Sequence, residues 1–181
     1  SSVLARVGGV EAGLRLIDRC ASAVDDAGTN ALLSVIERHG AKLREHLVST
    51  MSGLQPVPLS LVLALQSVAI EADFAMIRDL LRDPRAEIRA AALGALSRLP
   101  SAMTEDALLT CASDESARVR DSVARNLRHL ATPRALSALL VLVQDDKDDV
   151  ARSAATTLGG FSDPAAAQCL RHLCESPRVP L

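Results

Sequence analysis

The sequence has almost no aromatic residues: its 181 positions include Phe74 and Phe161 but no tryptophan and no tyrosine. It has no run near the roughly 20 apolar residues that a membrane helix needs, and no secretory-type start in which an apolar stretch follows basic residues. Its formal net charge of −2 gives no general electrostatic reason to expect nucleic acid or an anionic membrane as a partner. Because 49% of the residues are hydrophobic, disorder is also excluded, and we expect a soluble, folded protein.

The four cysteines are too few and too irregularly spaced for a disulfide scaffold. We therefore expect reduced thiols and a cytoplasmic location. Cys169 and Cys174 flank His172, but a spacing of five residues puts two thiolates on different faces of a helix. No metal site and no cofactor are predicted.

Two strong helix formers dominate the composition, with 30 alanines and 29 leucines, while β-branched residues are sparse. This predicts an all-α fold. Arginine outnumbers lysine eighteen to two, as in GC-rich genomes, and the chain begins at Ser1 without a methionine. These features suggest a piece of a longer bacterial protein.

The sequence repeats itself every 31 residues over its second half. The register relates three positions in each unit: Asp83, Asp114 and Asp145; Ile88, Val119 and Val150; and Leu96, Leu127 and Leu158.

Each unit contains two stripes of apolar residues spaced by three and four, the pattern of one-sided helices. The first stripe begins at Ile77, and the second runs through Ile88, Ala92, Leu96 and Leu99. Each unit is thus a helical hairpin. We predict a right-handed α-solenoid, or superhelix, of stacked antiparallel hairpins.

Three dipeptides mark predicted helix starts: Asp83-Pro84, Thr132-Pro133 and Asp163-Pro164. Each offers a side-chain acceptor for the first unpaired N–H groups of the helix. The proline that follows lacks an N–H, which costs nothing at the first helical position.

The strings IRAAALGALSRL, VRDSVARNLRHLATPRALSALLVLVQDD and VARSAATTLGGFSDPAAAQCLRHLCES resemble HEAT repeats, specifically the short phycobilisome-lyase-like type. The last string carries the LG-x-x-x-DP-x-A pattern of that family, and the resemblance covers residues 75 to 176. It implies a ladder in which a turn Asp and an Arg six residues later link successive repeats. Asp83 with Arg89 and Asp114 with Arg120 fit this pattern, whereas Asp145 is followed at that spacing by Ala151.

We predict one continuous solenoid in four parts. Residues 1–29 form an N-terminal helical cap, 30–74 degenerate HEAT-like repeats, 75–176 three to four HEAT-like repeats, and 177–181 a C-terminal tail. Within the degenerate part we expect helices at 30–39, 41–52 and 58–71.

The cap has an unbroken heptad pattern through Val3, Val7, Val10, Leu14, Ile17, Ala21 and Val24. A helix that covers the end of the stack is favoured, because glycines weaken a free-standing helix and terminal repeats need a cap. The alternative is a homodimer through residues 1–25.

No catalytic constellation is present in the sequence. It lacks a phosphate-binding glycine loop and a nucleophile elbow, and its four histidines fall in separate predicted helices. The acidic run from Asp145 to Asp149 lacks the glycine turn and distal glutamate of a calcium loop, so helix capping explains it better. We expect a protein that is not an enzyme.

One basic cluster stands out on the second helices of the hairpins. The non-core positions of these helices line the concave surface of a solenoid. We call it the arginine ridge, and it comprises Arg98, Arg125, Arg128, His129 and Arg152. Arginine suits bidentate carboxylate contacts, so the ridge predicts binding of an acidic segment of a protein partner. The alternative is an ordinary solvated face.

Three classes of function remain open. The leading one is a non-catalytic interaction scaffold or regulatory domain that binds another protein. A nucleic-acid binder is disfavoured, because residues from 75 onward carry 14 basic and 14 acidic side chains. A tetrapyrrole (bilin) lyase or chaperone is suggested by the resemblance alone, and a pigment pocket would need aromatic walls.

Overall fold

A computed structural model describes residues 9–22, 26–130 and 132–175, and the side chains of 173–175 lie outside this description. In this part of the chain ten α-helices and three short 3₁₀ turns occur, without a β-strand, which confirms the all-α prediction. The helices are α1 (Val10–Ser22), α2 (Asp26–Ser52), α3 (Leu59–Val68), α4 (Phe74–Leu80), α5 (Ala86–Leu96), α6 (Ser101–Thr110), α7 (Ala117–Asn126), α8 (Pro133–Leu142), α9 (Asp148–Leu158) and α10 (Pro164–Glu175). The 3₁₀ turns are Glu71–Asp73, Cys111–Ser113 and Leu127–His129.

The helices pair along the chain and stack from pair to pair. Helices α4 and α5, α6 and α7, and α8 and α9 form the three hairpins, and the second helices α3, α5, α7 and α9 pack in a row. The first helices α6, α8 and α10 also contact one another in order. The fold is therefore the predicted α-solenoid.

The second stripe of each repeat forms the core. Its members are fully buried in all three hairpins: Ile88, Ala92, Leu96, Val119, Val123, Leu127, Val150, Ala154 and Leu158. Alanine at positions 92 and 154 lets neighbouring helices approach closely, which accounts for the scarcity of aromatic residues. Phe161 is only partly buried, at the end of the last stripe.

The degenerate part of the chain differs from the prediction. Instead of separate helices at 30–39 and 41–52, one helix of 27 residues, α2, begins at Asp26 inside the predicted cap. Gly40 does not break it, because this glycine serves close packing: a Cβ there would lie 2.4 Å from Val68 Cγ1. The helix predicted at 58–71 is shorter and ends at Val68.

Helix α1 lies against α2. Its buried residues are Gly13, Leu16, Ile17 and Cys20, and a Cβ on Gly13 would lie 2.4 Å from Leu43 Cδ1. Among the heptad positions, Ile17 is buried, while Val10, Leu14 and Ala21 are partly buried. Val3, Val7 and Val24 lie outside the described residues.

The helix starts follow the predicted chemistry at two of three places. Thr132 caps α8, accepting the Ala135 N–H at 3.1 Å, and Asp163 Oδ1 accepts the Ala165 N–H at 2.8 Å. Asp83 does not cap a helix that begins at Pro84, because α5 starts at Ala86. Its carboxylate instead accepts the Arg85 N–H at 2.9 Å and closes a turn.

Across the described ranges, every helix is too short or too polar to cross a lipid bilayer.

Candidate functional site

A ladder of ion pairs connects the turns of successive hairpins. Arg89 donates to both carboxylate oxygens of Asp114, at 2.9 Å from Nε and 2.7 Å from Nη2, and its Nη1 donates to the Asp83 carbonyl at 3.0 Å. Arg120 repeats the arrangement one unit later, contacting Asp145 at 2.7 and 2.9 Å and the Asp114 carbonyl at 2.8 Å. Each Arg therefore ties the turn before its own helix to the turn of the next repeat.

The ladder ends where the repeat sequence degenerates. Pro58 stands where an earlier repeat would carry its Arg, so Asp83 is held by Arg85, at 2.9 and 2.8 Å. Arg85 also donates to the Val57 carbonyl at 3.0 Å, so it connects this turn to the residues before α3, where the ladder Arg is missing. At the other end of the ladder, the position of the next Arg is taken by Ala151, which is buried and has no side-chain donor.

The ladder carboxylates are stabilised in their charged form. Hydrogen bonds from Arg120, outweighing the cost of burial, lower the pKa of Asp145 to about 2. Burial alone would raise the pKa of Asp114, but the bonds from Arg89 and the Ser116 N–H hold it below its usual value. The Arg85 side chain lowers the pKa of Asp83 in the same way. These pairs remain ionised near neutral pH and act as structural ties.

Three members of the arginine ridge lie together at the end of α7. Arg125, Arg128 and His129 are exposed, and Arg128 Nε donates to His129 Nε2 at 3.1 Å. Arg125 pairs with Asp121, whose carboxylate also accepts the Ser153 hydroxyl at 2.6 Å. This end of α7 keeps Arg128 without a carboxylate partner among the described residues.

The other two ridge residues are Arg152, on α9, and Arg98, just after α5. Arg152 is bound to Asp149 on its own helix at 3.0 Å. Arg98 lines a cavity of about 900 Å³ against α2 and the end of α3, whereas Arg128 lines a cavity of about 410 Å³ beside Thr132 and Phe161. The assembly of all five residues into one ridge stays a prediction.

Sequence reasoning missed the basic lining around Arg98. Arg38, His39 and Lys42 project from the middle of α2 into the same cavity. Their spacing at three and four residues indicates one helix face, but Arg98 lies too far away in the sequence to be assigned to that face.

The described ranges contain no group of three or more His, Cys, Asp or Glu side chains that could hold a metal ion. Burial raises the pKa of the Cys111 and Cys169 thiols, so neither is an activated nucleophile.

Comparison with known proteins supports the α-solenoid fold. The family model for HEAT repeats matches residues 74–158. A designed armadillo repeat protein in complex with the peptide (KR)4 has a similar fold, with 15% identity, a TM-score of 0.53, and coverage of 88% of this chain and 86% of that one. The YibA protein of Escherichia coli is similar at 15% identity and a TM-score of 0.59, over 93% of this chain and 73% of that one. The search of curated proteins found no matching sequence.

The fold is an armadillo-like α-solenoid, and residues 74–158 of the chain match HEAT repeats. Repeat solenoids of this kind are typically non-catalytic scaffolds for protein interactions.

Proposed function

We propose that this protein is a non-catalytic interaction scaffold that binds an acidic segment of a protein partner at the end of α7. The observation that carries this proposal is the exposed basic group of Arg125, Arg128 and His129. Arg118 adds a further exposed cation at the start of the same helix. Arg125 is paired with Asp121, the one acid on α7, so Arg118 and Arg128 carry the uncompensated positive charge.

The fold supports this proposal. The designed armadillo repeat protein is in complex with a basic peptide, (KR)4, so a solenoid with a similar fold can bind a peptide. On the present chain the exposed side chains of α7 are positively charged, so they favour an acidic peptide rather than a basic one. Carboxylates fit it because guanidinium groups bind them in a bidentate manner.

The test uses an octaglutamate peptide labelled with fluorescein and measures its anisotropy at about 0.15 M salt, where charges more than about 8 Å apart are largely screened. The variant Arg125→Glu/Arg128→Glu should bind at least ten times more weakly than the original chain. Arg78→Glu/Arg82→Glu is the matched control, because it makes the same charge change at two exposed positions of the first hairpin. The control should bind within about threefold of the original chain once screened by salt.

Equal affinity of both variants would contradict the proposal. Tighter binding of a (KR)4 peptide or of a duplex DNA oligonucleotide than of octaglutamate would contradict it as well. A visible absorbance change on adding a bilin would favour the lyase or chaperone class that the phycobilisome-lyase-like resemblance implies.

The same proposal includes a bacterial, cytoplasmic setting and a capping role for α1. The apolar face of α1 packs on α2, which supports a cap within one chain over a homodimer through residues 1–25.

A further inference from the structure

A second basic surface lies near the other end of the described chain. The cavity of about 900 Å³ is formed by the middle of α2, the end of α3, the residues that follow α3, and Arg98. We call it the α2–α3 cleft. Its apolar lining comes from Ile36, Val68 and Ile70, its cations are Arg38, Lys42, Arg44 and Arg98, and His39 also lines it.

The positive charge of this cleft is largely uncompensated. Among the described residues no carboxylate lies within ion-pairing distance of Arg38, Lys42 or Arg98, and Arg38 donates only a long bond to the Ser34 hydroxyl at 3.4 Å. Arg44 is neutralised by Asp73, at 2.6 and 3.2 Å. Glu37 is the one acid that lines the cleft. A ligand with several negative charges would therefore meet complementary charge.

The cleft also has a fixed apolar contact point. Ile70 is 47% exposed, which is unusual for a large apolar side chain in the described part of the chain; Val141 is the other exposed one. The carboxylate of Asp73 accepts the Ile70 N–H at 2.9 Å while it holds Arg44, and Asp73 is buried. The exposed isoleucine is therefore held by a buried ion pair beside the cations.

Close packing of the two helices shapes the cleft. Gly40 lies against Val68, so α2 and the end of α3 are in contact at that point. Lys42 lies in the middle of a helix, and the Ile70 N–H is bound by Asp73, so little backbone ordering is needed when a ligand binds.

We propose that the α2–α3 cleft binds an acidic peptide segment of a partner protein through carboxylates on Lys42 and Arg98 and a large apolar side chain on Ile70. This site is separate from the α7 surface and requires an apolar residue that the α7 surface does not. It extends the proposed function, since both sites take acidic segments, but neither depends on the other.

The experiment uses two labelled heptapeptides. The first has three glutamates on each side of a central leucine, and the second has serine in place of the leucine. Because the α7 surface also takes acidic peptides, both measurements are made by fluorescence anisotropy in the Arg125→Glu/Arg128→Glu background. There the chain should prefer the leucine peptide by at least fivefold, and adding Lys42→Glu/Arg98→Glu should weaken leucine-peptide binding at least tenfold. Removing the α7 cations separates the two sites.

Ile70→Ser tests the apolar contact directly. This variant keeps the backbone N–H that Asp73 accepts, so its helical circular dichroism and melting temperature should match the original chain. Its affinity for the two peptides should become equal. Arg78→Glu/Arg82→Glu serves as the charge control and should preserve the preference.

The proposal is overturned if adding Lys42→Glu/Arg98→Glu leaves leucine-peptide binding unchanged in that background, or if the Arg125→Glu/Arg128→Glu chain binds both peptides equally. Full displacement of the leucine peptide by 10 mM inorganic phosphate at constant ionic strength would identify a simple anion site and overturn the peptide assignment.

Discussion

Two glycines inside helices decide how closely the N-terminal helices approach. Gly13 of α1 faces Leu43, and Gly40 of α2 faces Val68. In both cases an added Cβ would stand 2.4 Å from a side-chain carbon, well inside van der Waals contact. Glycine therefore costs helix propensity at these positions but permits the packing that forms the cap and one wall of the α2–α3 cleft.

Gly40→Ala should destabilise the protein by up to about 2 kcal/mol. Overpacking costs about 1–3 kcal/mol, since β-branched Val68 cannot rotate away easily, and the better helix propensity of alanine returns about 1 kcal/mol. Urea denaturation followed by circular dichroism measures the change. Gly9→Ala is the control, because nothing lies within 4 Å of its added Cβ and its stability should change little. A more stable Gly40→Ala variant would show that α2 and α3 do not touch here.

Asp145 is the ladder residue whose charge matters most for stability at low pH. Its folded pKa is about 2, below the ordinary value of 3.8. A lowered folded pKa stabilises the protein above the ordinary value, and this contribution is lost as the pH falls toward the folded one. The free energy of unfolding should therefore fall by about 2 kcal/mol between pH 4 and pH 2 from this group alone.

Asp145→Asn tests that assignment. The variant should lose roughly 2 kcal/mol at pH 7 and show a shallower decline between pH 4 and pH 2 in urea titrations. Asp149→Asn is the matched control, since Asp149 is 85% exposed and its pair with Arg152 contributes little. An unchanged pH profile in Asp145→Asn would exclude Asp145 as the source of the acid sensitivity.

At the scale of elements, the ladder links each hairpin to the next. Arg120 reaches forward to Asp145 and back to the carbonyl of Asp114, so one side chain spans two turns. The family resemblance implied these residues and a ladder that links successive repeats, but it did not say which Asp each Arg binds. In the structure the carboxylate that each Arg binds belongs to the following repeat, and the Asp of its own turn contributes the backbone carbonyl.

Arg120→Met should destabilise the protein by about 2–4 kcal/mol, because it leaves Asp145 charged and its side chain is only 7% exposed. Arg152→Met provides the comparison, since its side chain is 58% exposed and its ion pair lies in solvent. Chemical denaturation should give a loss below about 1 kcal/mol for Arg152→Met. Equal losses for the two variants would mean that the ladder has no special role.

Over the whole molecule, the stack has a distinct N-terminal end. Helix α1 packs on α2, with Gly13 against Val35 and Leu43, which are each at most 2% exposed. A solenoid requires such an end because an uncovered repeat face would associate with other molecules.

The chain should therefore be a monomer of 19.1 kDa in light scattering. Ile17→Asp should detach α1, lower stability by about 3 kcal/mol and promote self-association through the uncovered face of α2. Arg15→Gln is the control on the exposed side of α1 and should remain monomeric. A dimeric mass for the original chain would restore the interpretation of the heptad pattern as a dimer contact.

The repeat region followed from the sequence alone. Buried positions from Ile77 to Leu158 recur at the predicted spacing, because each hairpin repeats the same local periodicity and therefore buries the same face. The cap at Thr132 followed from local chemistry as well. The prediction of a break within α2 was wrong because glycine has two uses, chain reversal and close helix packing, and only the neighbouring Val68 distinguishes them.

The basic surfaces show what a repeat register leaves undecided. Arg98 and His129 are 31 residues apart and so occupy equivalent positions of successive repeats. The register alone did not indicate that Arg98 also lines a cleft with α2, or that Arg152 is bound by the nearby Asp149.

The sequence by itself determined the helical class, the period and the core stripes, since these depend on residues three, four and 31 positions apart in a regular pattern. Only the tertiary structure decided which turn each ladder Arg reaches, that α2 is continuous, and that Arg98 and Ile70 share one cleft with Lys42. These features depend on contacts between segments that carry no common pattern, so only the packed chain determines them.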